Sequence, residues 1–263
     1  MKHEFYAVSN LEGMEVYAYD IELKEIKRGN LKGTKYFIRV NSNIRNTQIP
    51  EDFAYNEFLN LDATDIDELT RIQEMYGIIA SPTFESNFGN GNATYMLMKS
   101  DADLRIRLEA FIKRTKCDKP ISAIPLQEVA DTVEVLQTLI ASTIAVNNDT
   151  YTDEDLHHDE MFNILASRTY SKYFQMFGLA ENDPNKKVTI INNLIDAVVL
   201  QQMKLLAVSD RKIHKCEYRH CGKYFKYPKR ERYEPPFYCC RAHQEAEKSC
   251  RQNDRIRDAK GTK

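Results

Sequence analysis

Five of the six cysteines lie in the last fifty residues: Cys216, Cys221, Cys239, Cys240 and Cys250, with His243 among them. Thiolate sulfur is the softest donor a protein offers, and four such donors close the shell of a tetrahedral ion such as Zn²⁺. Cys216 and Cys221 enclose four residues, and Gly222-Lys223 follow at once. A glycine there lets the backbone fold back so that amides face sulfur, as in a zinc knuckle. Tyr224, Phe225 and Tyr227 then read as a strand over the site.

Cys239, Cys240, His243 and Cys250 compete for the remaining two places, and the start of the next helix decides between them. A helix beginning at Cys240 would carry Cys250 about 15 Å along its axis, leaving His243 to complete the site. A helix beginning at Ser249 would have Ser249 and Gln252 as a capping box, with Cys250 in its first turn, where the positive end of the helix steadies a thiolate. The second arrangement is the expected one. It gives Cys216, Cys221, Cys239 and Cys250 as ligands, with Cys240 or His243 as substitutes.

These residues must be held by the rest of the chain. Residues 211–263 carry 16 Lys and Arg against 7 Asp and Glu, whereas residues 1–210 carry 21 against 32. A basic segment of this kind, set on an acidic body, divides the chain into a 1–210 body and a 211–263 zinc module. Within the body, Glu15–Tyr19 and Tyr36–Val40 read as strands of a small antiparallel sheet, with Gly13, Gly29 and Gly33 at turns. From Thr64 or Asp65 the period changes to that of a helix, with Ile66, Leu69, Ile72 and Met75 on one face and Gly77 as its stop.

A loop is expected over residues 81–95. Helices are expected at Asp101–Arg114, at Leu126–Val146 after Pro125, and at Asp153–Phe177 between Thr152 and Gly178. His157-His158 sit side by side in the last of these, about 100° apart, and so read as a solvated helix start rather than a metal pair. Val188–Val208 is apolar on most of its circumference and reads as a central buried helix. The fold class is therefore α+β: a mainly helical body with a small N-terminal antiparallel sheet, plus a treble-clef-like zinc module. Cys117 reads as an inert buried thiol. Met1 to Tyr6 show no signal pattern, and the clustered cysteines suit a reducing compartment, so a cytoplasmic protein with no membrane partner is expected.

The run Cys216-x₄-Cys221-Gly-Lys-x-Phe, then Tyr238-Cys239, then Cys250-Arg-Gln-x-x-Arg-x-Arg resembles the C-terminal zinc finger of bacterial CGNR or ABATE-type proteins. Leu69–Gly77 and Leu200-Gln201-Gln202 resemble the N-terminal part of that family. Cys250-Arg251-Gln252-Asn253 stands where the family has Cys-Gly-Asn-Arg, and about six extra residues separate Cys239 from Cys250. The resemblance implies a treble-clef finger and a DNA-binding, stress-linked transcription regulator with an N-terminal α/β domain, and the 1–210 body is then a candidate sensor domain.

Independently of it, Lys223, Lys226, Lys229, Arg230, Arg232, Arg251, Arg255 and Arg257, interleaved with Tyr218, Tyr224, Tyr227 and Tyr233, are suited to neutralising phosphates and stacking on bases. Nucleic acid, duplex DNA first, is the expected partner. The alternative is a zinc-stabilised surface for docking another protein. An enzyme is not expected, because four protein ligands leave a zinc ion no open position.

Overall fold

The computed structural model describes residues 13–77, 79, 102–114, 123–177, 189–191, 193–207, 211–228 and 236–261. The predicted 81–95 loop, Cys117 and Gly178 lie outside them. Strands β1 (Met14–Glu25) and β2 (Lys35–Ile49) form a long antiparallel hairpin that contains both predicted strands. Gly29 and Gly33 make its turn at φ +83° and +88°, where a side chain would be strained, and the Gly33 amide donates to Ile26 O at 2.8 Å. Met14, Val16 and Ala18 face the core, and then the buried parity changes to Ile21. The register shift between Tyr19 and Ile21 causes that change, since slipping by one residue turns a strand over.

Strand β3 (Ala123–Pro125) pairs antiparallel with β2, and β4 (Thr189–Ile191) runs parallel to β1, giving the order β3-β2-β1-β4. The remaining body is helical: α1 (Phe53–Asn56), a 3₁₀ turn (Phe58–Asn60), α2 (Ile66–Tyr76), α3 (Ala102–Arg114), α4 (Leu126–Asn147), α5 (Asp153–Phe177) and α6 (Leu194–Ala207). Asp65 caps α2 by accepting the amides of Asp67 and Glu68, both at 3.0 Å. Its inward face is Leu69, Ile72, Gln73 and Tyr76, while the expected Met75 is 42% exposed. Thr152 and Asp155 cap α5 reciprocally: the Asp155 amide donates to Thr152 Oγ1 at 3.2 Å and the Thr152 amide to Asp155 Oδ2 at 2.9 Å.

One helix starts later than its apolar pattern suggests. Ile190 and Ile191 were expected in the last body helix but form β4, because Asn193 supplies a cap by accepting the Asp196 amide at 2.8 Å. From Leu194 to Met203 every residue of α6 is buried, as expected of a helix apolar all round. Among the described residues α4 alone is long and apolar enough to cross a bilayer. Its Val129, Val133, Leu136 and Ile140 lie in the main core, which accounts for that composition.

The last part of the chain is a hairpin, β5 (Arg211–Lys215) with β6 (Tyr224–Pro228), followed by α7 (Arg241–Gly261). The hairpin begins where the sequence divides the chain, and it packs on the body. Ile213 belongs to the body's core. The side-chain amide of Asn148 donates to Ile213 O at 2.7 Å, and the Tyr224 amide donates to Asn60 Oδ1 at 3.0 Å.

Candidate metal centre

The β5–β6 turn is the knuckle. The Cys216 amide donates to Lys223 O at 2.8 Å and the Cys221 amide to Tyr218 O at 2.9 Å, with Gly222 at φ +67° reversing the chain. A second segment is clamped beside it. The Glu217 amide donates to Phe237 O and the Phe237 amide to Glu217 Oε1, both at 2.9 Å, while the Phe237 ring stacks on His214 with centroids 3.8 Å apart. That clamp delivers Cys239, whose amide donates to the Cys216 sulfur at 3.4 Å. Helix α7 starts at once, with the Gln244 amide on Cys240 O at 3.3 Å.

This brings together Cys216, Cys221, Cys239 and His243, whose ligand atoms all lie within 4.8 Å of one another. A tetrahedral ion with metal–sulfur bonds of about 2.3 Å requires sulfur–sulfur edges of about 3.8 Å and sulfur–nitrogen edges of about 3.6 Å. The Cys221–Cys239 sulfurs are 3.8 Å apart and Cys216 Sγ is 3.7 Å from His243 Nδ1. The Cys239–His243 edge, 3.0 Å, is the compressed one. Three sulfurs and one imidazole nitrogen can therefore hold a metal ion, and Tyr218 covers the imidazole with ring centroids 4.9 Å apart.

Cys250 is not in this group, contrary to the favoured expectation. The helix begins at Arg241 rather than Ser249, and Ser249 Oγ donates to Glu245 O at 3.1 Å as an interior residue instead of capping. Seven residues of helix separate Cys250 from His243, about 10 Å of axial rise. Cys240 is exposed and also lies outside the group. The spacing Cys239-x₃-His243 fits one turn of a helix start, and that is the signal the capping pattern overrode.

The electrostatics suit a cation. Burial raises the Cys216 thiol, but the amides of Cys239 and Tyr218 and the His243 ring outweigh it and bring it down to about 7. Burial, then the hydrogen bonds its thiol donates to the Cys216 and Cys221 sulfurs and their charge, push Cys239 up to about 12. Three thiols at close range cannot all ionise without a positive charge among them, and a metal ion supplies it.

Sequence reasoning missed a brace beside the ligands. The Arg219 side chain on the knuckle meets Glu247 of α7 at 3.1 Å and Asp254 at 2.8 Å, and Arg251 also reaches Glu247 at 3.2 Å. The Arg219 hydrogen bond, chiefly, holds the Glu247 carboxyl down to about 2, and Glu247 with Asp254 raises the Arg219 guanidinium. Arg219 and Glu247 stand 28 residues apart with no local pattern linking them.

Among the predicted nucleic-acid residues, Lys229, Arg230 and Arg232 lie outside the described residues. Lys223 is exposed on the knuckle. Lys226 turns toward the body, its Nζ 5.9 Å from the centre of the Tyr55 ring. Arg251, Arg255 and Arg257 are exposed on α7, Arg257 pairing with Asp254 at 3.2 Å. No family model, curated protein or solved structure matches the chain.

Proposed function

We propose that the chain is a zinc-stabilised nucleic-acid-binding protein whose C-terminal module contacts duplex DNA through α7. Three thiolates and one imidazole at tetrahedral spacing favour zinc over harder cations. Ligands from a knuckle and from the first turn of a helix suit a treble-clef-like module. With four protein donors the ion has no open position, so its role is structural and no catalysis is assigned.

The observation that carries the reading is the outer face of α7. At about 100° per residue, Arg241, Lys248, Arg251 and Arg255 fall within an arc of about 80°. All four are exposed, while His243, Ala246, Glu247 and Asp254 turn inward. A helix with one cationic face, held by a metal at its start, is a means of setting positive charge along a phosphate backbone. The resemblance to CGNR or ABATE-type proteins supports the same role, that of a bacterial transcription regulator.

The test is fluorescence anisotropy of a labelled duplex with the full-length zinc-loaded protein. Affinity should fall steeply with salt, and Arg255→Ala should weaken binding and reduce the logarithmic salt slope by about 0.9. A slope that Arg255→Ala leaves unchanged would sink the assignment. The second reading, a protein-docking module, is favoured by the internal pairing of Arg219, Arg251 and Arg257 with Glu247 and Asp254. It requires that duplex DNA produce no anisotropy change at low salt.

A further inference from the structure

From Arg251 to Arg257 every residue of α7 is exposed except Asp254, which turns inward to Arg219. This end of the helix is therefore open to solvent over most of its circumference. A bare helix about 10 to 12 Å across fits the major groove of B-DNA, which is about 12 Å wide.

Ile256 stands out there. It is 47% exposed and, among the described residues of α7, the only large apolar side chain on the outside. Gln252, also exposed, lies one turn earlier, and at about 100° per residue the two are within about 40° of each other. They border the arc of Arg241, Lys248, Arg251 and Arg255. Cations that suit a phosphate backbone thus stand beside a carboxamide and a hydrocarbon group, neither of which neutralises a phosphate. Those two groups suit base edges instead: a carboxamide pairs with both N6 and N7 of adenine, and an alkyl group packs on the 5-methyl of thymine. Glu245 falls on the same line but about 10 Å nearer the helix start, where Arg241 holds it at 2.8 Å.

We propose that this end of α7 enters the major groove and reads sequence, Gln252 pairing with an adenine and Ile256 covering a thymine methyl within about two base pairs of it. Four residues of helix span about 6 Å, against about 3.4 Å per base pair, which sets that spacing. The inference rests on the reading of α7 as a DNA contact and adds to it a specificity for A·T pairs.

The experiment is selection from duplexes with a randomised segment by the full-length, zinc-loaded protein. Fluorescence anisotropy then follows on the enriched duplex, with thymines replaced singly by uracil and adenines singly by 7-deaza-adenine. Removal of one thymine methyl should weaken binding about fourfold, and loss of N7 at one adenine within about two base pairs of it about tenfold. Ile256→Ala should abolish the first difference and Gln252→Ala the second. Both positions are exposed and alanine favours a helix, so both variants should keep the fold. Neither side chain is charged, so both variants should also keep the parent's salt slope, unlike Arg255→Ala. No enriched sequence, or variants that discriminate as the parent does, overturns the base-reading role; binding that still falls with salt then leaves the phosphate contacts of α7 standing. Absence of binding to any duplex at low salt ends both.

Discussion

Replacing His243 by Ala should cost the metal site far more than replacing Cys250 by Ser, although the sequence alone favours the opposite. The four converging donors are Cys216, Cys221, Cys239 and His243. Structural zinc supplies about 10 to 16 kcal/mol to modules of this size, so one ligand in four carries roughly 3 to 4 kcal/mol. Loss of His243 should therefore weaken zinc binding by about two to three powers of ten. Cys250 lies about 10 Å further along the helix axis and cannot replace it without unwinding two turns. Competition against a chromophoric chelator at neutral pH gives the affinities. The cobalt(II) form should show the charge-transfer intensity of three thiolates in the parent protein and in Cys250→Ser. If Cys250→Ser loses metal while His243→Ala keeps it, the helix start is wrong and so is the ligand set.

Gly77→Ala should destabilise the body by about 1 to 3 kcal/mol in urea unfolding, because Gly77 holds φ +92° and an added Cβ would meet Tyr17 O at 2.6 Å; an unmoved midpoint refutes this. Asp65→Ala should cost about 1 kcal/mol through the lost cap of α2, read from the same transition. Glu247 should titrate near 2 by carboxyl ¹³C NMR, below the other glutamates. Its folded value is depressed, so the stability it contributes is present above the unfolded value of about 4.3 and lost as pH falls toward 2. A midpoint near 4.3 would mean that the Arg219 brace does not form in solution.

The parts of this fold that the sequence disclosed are those specified by neighbours in the chain. Asp65 and Gly77 mark the ends of α2 because a cap and a left-handed stop act within a few residues. Thr152 marks the start of α5 for the same reason. Cys216, Cys221 and Gly222 define a knuckle over seven residues. The failures came where a local pattern had a distant or better-placed competitor. Ser249 and Gln252 form a plausible cap, but the ligand geometry already starts the helix at the Cys240–Arg241 step, and Ser249 bonds Glu245 O inside it. Ile190 and Ile191 continue an apolar run, yet β1 offers them a ladder partner far away in sequence. The Arg219–Glu247 pair and the anchors Asn60 and Asn148 depend wholly on contacts that no short window contains.

Those anchors change what metal removal should do. The hairpin β5–β6 is held by the body through Ile213, Asn148 and Asn60, none of which needs the ion. Among its described side chains helix α7 has no comparable apolar support: the inward ones are His243, Ala246, Glu247, Cys250 and Asp254, and the exposed Ile256 adds none. A polar helix of this kind is stable only while something fixes its first turn. Chelation should therefore release α7 and the Cys239 segment and leave the hairpin in place. Hydrogen exchange on the full chain reads this directly. After chelation, amides from Gln244 onward in α7 should exchange rapidly, while the His214 and Phe225 amides, which face each other in the β5–β6 ladder, keep most of their protection. Equal loss of protection in hairpin and helix would show that the ion, and not the body, holds β5 and β6.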